Sequence, residues 1–306
     1  MRRMSTEMVP ETIGLVPQAQ TLGGRIELVK NDQPAISGTI ERKAKSDLNA
    51  MLTLYSSQAL ETVQVSVVIP ALNEEDNLPH VLPLIPKWVY EVILVDGHST
   101  DRTIEVAREL LPDIHVVMQD GAGKGSALRT GFAAASGQII VMLDADGSTN
   151  PAEIPVFVGA LMAGADFVKG SRFLQGGGTA DMPFHRRAGN SAFVGLSRLL
   201  FGGHYTDLCY GYNAMWAWTL PLLRLNGQGF EIETMMNVRA LQVGLKVAEV
   251  PSFEAPRVHG VGRLRTIPDG WRVLKTLYRE WASPIPQTAI GRPQAFAPVV
   301  ELEGAD

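Results

Sequence analysis

The sequence predicts an α/β fold: a central, mostly parallel sheet with helices on both faces. Three observations carry the prediction. Strand-sized runs such as Val65–Pro70 and Ile139–Leu143 are almost wholly apolar, the pattern of strands covered on both faces. Helix-spaced apolar residues separate these runs, and alternation of strand and helix implies parallel pairing. Finally, 306 residues with 45% hydrophobic and 19% charged side chains suit a chain folding around a real core, as one large domain with extensions or two small ones.

Taken in order, residues 1–60 mix Gly, Pro, Gln and Lys with short apolar pieces and keep no period, so they read as an irregular extension. A short hairpin and a helix near Ser46–Tyr55 are expected within it. The domain proper is expected over 61–285, with 286–306 as a tail. Val65–Pro70 is its first strand. Leu78, Val81, Leu82 and Ile85 then share one helical face. Glu91–Asp96 is the second strand, followed by a helix lined by Ile104, Ala107 and Leu111. Ile114–Met118, a small-residue helix around Ser126–Ala135 and the strand Gln138–Leu143 continue the alternation. Trp216 and Trp218 alternate as on a strand. A helix opens at Glu231, and Trp271, Leu274, Leu277, Tyr278 and Trp281 form an amphipathic stripe that packs on the domain, touches a membrane surface or meets a second subunit.

The formal charge is −5 with no long Lys/Arg run, which argues against a nucleic-acid partner. One cysteine, Cys209, excludes an internal disulfide, and the cytoplasm is the default compartment. No run reaches the roughly 20 apolar residues of a spanning helix, so lipid contact would be peripheral. Met1-Arg2-Arg3-Met4 is basic but lacks a following signal core.

In parallel sheets ligands gather at the carboxyl ends of strands, and the unusual residues fall there. Pro70-Ala71-Leu72-Asn73-Glu74-Glu75 follows the first strand and Asp96-Gly97-His98-Ser99-Thr100-Asp101 ends the second. Each alone is ordinary loop chemistry; together they suit the ribose and base of a nucleotide. Gly121-Ala122-Gly123-Lys124-Gly125-Ser126 is either a turn or a phosphate contact, and it is neither a P-loop nor a dinucleotide fingerprint. Asp144-Ala145-Asp146 places two like charges at a strand end, where a hard divalent cation, Mg²⁺ or Mn²⁺, would keep both ionised.

The order of these motifs, with Gly170-Ser171-Arg172 after them, resembles family 2 glycosyltransferases of the GT-A fold, nearest the dolichyl- and polyprenyl-phosphate sugar synthase branch. The resemblance covers about Val65–Tyr278. It implies a metal-dependent, inverting glycosyltransferase with a GDP- or UDP-sugar donor. By it, Pro70, Leu72, Glu74 and Asp96 line the nucleoside pocket. Lys124, Asp144, Ala145 and Asp146 belong to the donor site, with Asp144, Asp146 and His259 on the metal side. Arg172 approaches diphosphate or acceptor, Arg186 or Arg187 meets an acceptor phosphate with Ser191 nearby, and Arg257 and Arg263 belong to a loop that closes over the diphosphate. Arginine suits this work because its planar fork grips phosphate oxygens. The chain differs from that branch at Gly97, Ser148, His259 and Arg263, and no C-terminal membrane helices are expected.

Glu231 and Glu233 supply carboxylates on the acceptor side. Transfer to a hydroxyl needs a general base, whereas an ionised phosphate does not. Either glutamate is also a favourable charge in a helix first turn. Gly202–Asn213, with His204, Tyr205, Tyr210 and Tyr212, reads as an acceptor-side loop in which Cys209 is structural. The expected acceptor is thus a lipid phosphate or a small-molecule hydroxyl, and a homodimer is left open. A nucleotide-sugar isomerase or mutase would keep the donor pocket without an acceptor, and a silent binding module would keep the pocket without turnover.

Overall fold

The computed structural model describes residues 63–286, apart from 181 and 263, together with an antiparallel ladder pairing Thr21–Leu22 with Arg25–Ile26. By contacts the chain divides into two units, Met1–Thr53 and Leu54–Asp306. The helix expected near Ser46–Tyr55 and the tail beyond residue 286 lie outside the described residues.

The strands of the second unit are β1 (Val65–Ala71), β2 (Glu91–Asp96), β3 (His115–Met118), β4 (Ile139–Met142), β5 (Phe167–Ser171), β6 (Gly178–Thr179), β7 (Asn213–Trp216), β8 (Val247–Pro251) and β9 (Phe253–Glu254). Seven form one sheet in the order β8-β5-β7-β4-β1-β2-β3. All neighbours pair in parallel except β7, which runs antiparallel to both β4 and β5. β6 and β9 make a separate two-stranded parallel pair.

The helices are α1 (Thr103–Leu110), α2 (Lys124–Ala134), α3 (Ile154–Met162), α4 (Phe184–Phe201), α5 (Leu220–Leu223), α6 (Glu231–Gln242) and α7 (Thr266–Ala282). Successive strand residues point to opposite faces, and both faces are buried. Val65, Val67 and Ile69 pack with α3 residues Phe157 and Leu161 on one side. Val68, Ile93 and Met142 pack with Leu128 of α2 and Met236 of α6 on the other. This double cover is why the runs lack polar alternation. A third cluster joins Val194 of α4, Val238 of α6 and Leu277 of α7.

Two local expectations are corrected. Leu78–Ile85 is not an α-helix but two 3₁₀ turns, Leu78–His80 and Leu82–Leu84. Pro79 is compatible with a first turn, but Pro83 removes the backbone donor that a helix continuing from Leu78 needs, and its ring crowds the carbonyl one turn back. Leu78, Val81 and Leu82 nevertheless stay buried as the spacing requires. The strand holding Trp216 ends there, and Trp218 sits in the 3₁₀ turn Ala217–Thr219.

Candidate active site

The site is built on the carboxyl ends of β1, β2 and β4. The loops after β1 and β2 are stitched together by short polar side chains. Asn73 N donates to Ser99 Oγ at 2.9 Å, Thr100 N to Asn73 Oδ1 at 2.8 Å, and Glu74 N to Thr103 Oγ1 at 2.8 Å. Asn73 and His98 take left-handed backbone angles, φ 53° and 63°, to turn these corners. Asp96 is fully buried; its Oδ2 accepts from Ser99 N at 2.9 Å, while its Oδ1 has no partner. An orphaned buried acceptor calls for a donor from a ligand or water. Pro70 and Leu72 are half-buried beside it.

The loop after β8 and β9 crosses this floor. Arg257 donates to Glu74 Oε2 at 2.5 Å and to Asp146 Oδ2 at 3.3 Å, so one guanidinium bridges the nucleoside end and the Asp-x-Asp end. Asn77 adds a two-point clasp on the backbone of His259: His259 N donates to Asn77 Oδ1 at 2.8 Å, and Asn77 Nδ2 to His259 O at 3.2 Å. Val258 N donates to Asp146 O at 3.1 Å and Ala255 N to Ser148 O at 2.9 Å. The His259 ring faces His80, with centroids 5.4 Å apart.

Asp144 and Asp146 flank the buried Ala145 and keep their side chains about one-quarter exposed, at 27% and 24%. Asp146 Oδ1 accepts from Ser148 N at 3.0 Å and Ser148 Oγ at 2.6 Å. Each carboxylate also carries a basic partner, Lys124 on Asp144 and Arg257 on Asp146. Among the described residues no three His, Cys, Asp or Glu side chains gather as a ready ligand cluster, so His259 is not brought together with the two aspartates as a set. Two partly exposed carboxylates with oxygen donors alone fit Mg²⁺ or Mn²⁺, which commonly complete their shells with water and phosphate oxygens.

Lys124 is the hub. Its ammonium lies 2.6 Å from Asp144 Oδ1 and 2.7 Å from Glu233 Oε1. Burial opposes its charge, but the two carboxylates outweigh burial and hold its pKa well above the ordinary lysine value. The glycines around it serve packing. Gly123 has φ 88°, and a Cβ there would stand 2.5 Å from Gln228 O; one on Gly125 would stand 2.6 Å from Gly227 O. Gly125 N and Ser126 N both donate to Gln228 O, at 2.7 and 3.2 Å. These first-turn donors of α2 are therefore spent on the chain before α6, which brings Lys124 to Glu233. Of the two sequence readings, the turn holds for these two groups.

Glu233 is buried, and burial pushes its carboxyl above the ordinary glutamate value, against the pull of Lys124 and with the push of Asp144. Glu231 differs. Its Oε1 accepts from Gln228 N at 3.0 Å and Gly229 N at 2.9 Å. Those backbone donors overcome burial and hold its pKa below the ordinary value, which makes it the weaker base.

The remaining expected residues are placed as follows. Arg172 is buried, gripping Asp207 at 2.7 and 3.0 Å and Glu254 at 3.0 and 3.1 Å, so its fork is engaged within the protein. Arg186 donates to Thr266 Oγ1 and Leu264 O at the start of α7. Arg187 is exposed, 5.9 Å from the Phe173 ring centroid, and Ser191 Oγ donates to its carbonyl. Arg263 lies outside the described residues. Sequence reasoning missed Asn77, Asp207 and buried Lys169, which donates to Tyr210 O. Asn77 stood in the polar run after β1; Asp207 and Lys169 carry no local signal, because their partners are distant in sequence.

Residues 66–217 match the sequence profile of glycosyl transferase family 2. The polyprenol monophosphomannose synthase of Mycolicibacterium smegmatis is 32% identical over 216 residues, which are 66% of this chain and 82% of that protein. The chain belongs to glycosyl transferase family 2. The dolichol-phosphate mannosyltransferase of Pyrococcus furiosus is also 32% identical, over 212 residues; the match takes in 66% of this glycosyltransferase but 60% of the archaeal protein's length. Among solved structures, glucosyl-3-phosphoglycerate synthase from Mycobacterium tuberculosis in complex with Mg²⁺ and uridine diphosphate superposes with a TM-score of 0.59 at 25% identity. The superposition covers 77% of this chain and 86% of that one. The same enzyme in complex with Mn²⁺, uridine diphosphate and phosphoglyceric acid gives 0.57 at 25% identity, covering 76% and 84%. The expected GT-A fold and family are therefore found, and the family is one of sugar-transferring enzymes using nucleotide-sugar donors.

Proposed function

We propose that this glycosyltransferase passes a hexose, with inversion, from a nucleoside-diphosphate sugar to an acceptor hydroxyl. The observation that carries the reading is the Asp144–Lys124–Glu233 cluster, which sets a buried carboxylate of raised proton affinity directly beside the partly exposed Asp-x-Asp motif. Asp144 and Asp146 would hold Mg²⁺ or Mn²⁺, whose chemistry is to offset the charge growing on a departing diphosphate. Asp96, with its unpartnered oxygen, and the Asn73–Glu75 loop would take the nucleoside. Arg257 would exchange its internal carboxylates for diphosphate oxygens. In the displacement, the acceptor oxygen bonds to the anomeric carbon as the bond to the diphosphate oxygen breaks, and the hydroxyl proton passes to Glu233.

The polyprenol- and dolichol-phosphate names of two relatives favour a second reading, in which the acceptor is a lipid phosphate and no proton need be taken. Exposed Arg187 then meets that phosphate. The test is a panel of UDP- and GDP-hexoses with Mn²⁺ and both acceptor classes, with product configuration read by NMR. Glu233→Gln is expected to slow transfer to a hydroxyl about 100-fold with donor affinity kept, the size of a lost general base. Near-normal turnover of Glu233→Gln together with collapse of Arg187→Ala selects the phosphate. Retained configuration, or an isomerised donor without transfer, refutes the proposal.

A further inference from the structure

We infer that the outer face of α7, continued by the start of α4, is a docking surface for an anionic lipid bilayer. The inference stands on these two helices and not on the sugar-transfer reading. Along α7 the exposed side chains Ile267, Trp271, Tyr278 and Trp281, at 84%, 67%, 63% and 53% exposure, recur at i, i+4, i+11 and i+14, one stripe of the helix. The inward face of the same helix carries Val273 and Leu277 but also both of its carboxylates. Asp269 and Glu280 are 6% and 1% exposed, and Glu280 is bound by Arg239 at 2.8 and 2.9 Å. The helix thus turns aromatic rings outward and acids inward.

The charge left on the outside is positive. Arg272, Lys275 and Arg279 flank the stripe and are exposed, and α7 has no exposed acid. Arg272 also pairs with Asp269 at 3.2 Å and Arg279 with Glu280 at 3.4 Å, so the net positive charge of the face comes from Lys275 together with the α4 arginines. The sequence of α4 contains no acid at all. Its first turn is bound to α7 by the Arg186 contacts with Leu264 and Thr266, and presents Phe184 at 85% exposure beside Arg187. In a chain of net charge −5, this is a local reversal of sign coupled to exposed aromatic area. Tryptophan and tyrosine within a basic rim suit the interface of a bilayer, where rings sit at headgroup level and cations meet lipid phosphates. A two-fold dimer through the same face would set these cations against their own copies, so a negatively charged surface is the better match. The face is tied to the active site through one loop: Arg257 touches Asp146, and Leu264, seven residues on, accepts from Arg186 at the start of α4.

The test uses the full chain with vesicles of phosphatidylcholine alone and of phosphatidylcholine with phosphatidylglycerol. Flotation is expected only with the anionic vesicles, weakening as salt rises. Brominated lipids are expected to quench Trp271 and Trp281, so that Trp271→Phe/Trp281→Phe loses most of the quenching. Trp271→Ser/Tyr278→Ser and Lys275→Glu should each lower vesicle partitioning at least about tenfold. Nucleotide affinity and melting temperature serve as controls that these variants still fold and bind donor. Equal flotation of the variants overturns the inference. So does absence of flotation by the parent chain, including the case where sedimentation shows a dimer that the same variants dissociate.

Discussion

Lys124→Met isolates the charge cluster at the centre of the site. The two carboxylate oxygens it joins lie at most 2.6 plus 2.7 Å apart through its ammonium. Without it, two negative charges about 5 Å apart repel by roughly 3 kcal/mol at an effective dielectric of about 20. For a domain of this size that corresponds to a melting temperature lower by roughly 6–12 °C. The pH dependence identifies the cause. Burial already raises the proton affinity of Glu233, and losing Lys124 raises it further. A folded state that holds a proton more tightly than the unfolded state gains stability as pH falls through the folded pKa, and this gain is complete below the ordinary glutamate value. The deficit of Lys124→Met should therefore be greatest near pH 8 and shrink toward pH 5. Adding Glu233→Gln should remove most of it, because one of the two charges is gone. Thermal unfolding of the parent, single and double variants across pH 5–8 provides the check. A deficit independent of pH, with no recovery in the double variant, would refute the electrostatic reasoning and make Lys124 a packing residue.

Further outcomes follow from other contacts. Arg257 ties the 257–260 loop to Glu74 and Asp146, and Asn77 clasps the backbone of His259 within it, so Arg257→Ala should speed proteolysis within that loop. Nucleoside diphosphate with Mn²⁺ should protect the parent; equal cleavage in both states would count against closure. Arg172→Met should cost about 3–5 kcal/mol at neutral pH, because it strands the buried charge of Asp207. Burial alone would raise the Asp207 pKa, but the Arg172 hydrogen bonds outweigh it and hold the group below its ordinary value. Stability from this pair is thus present at neutral pH and fades as pH falls below the ordinary aspartate range, as acid melting of parent and variant will show. Burial, with the charge of Asp207, pushes the Cys209 thiol up to about 12, so iodoacetamide at pH 8 should label it only after denaturation.

Much of this was legible in the chain. The doubly covered strands announce themselves as Val65–Pro70 and Ile139–Leu143, and Asp96, Asp144 and Asp146 stand at strand ends because apolar runs stop there. Proline overrode the apolar spacing of Leu78–Ile85, since the spacing reports burial and says nothing of missing backbone donors. The antiparallel insertion of β7 was not visible, because strand direction depends on the path of the chain between strands. Lys124 was placed in the donor site, yet its ion pair with Glu233 spans over a hundred residues and leaves no local trace. A separation of 35 residues likewise hides the pairing of Arg172 with Asp207. A guanidinium that looked free for phosphate is already engaged by two carboxylates.

The most direct measurement is calorimetric titration of UDP and GDP into the parent chain and Asp146→Ala, with and without Mn²⁺. The account predicts that one nucleotide binds the parent tightly only with Mn²⁺. It predicts that Asp146→Ala loses this binding while its melting temperature stays within a few degrees. Equal nucleotide affinity with and without the metal, or unchanged Mn²⁺-assisted affinity in a folded Asp146→Ala, would contradict it.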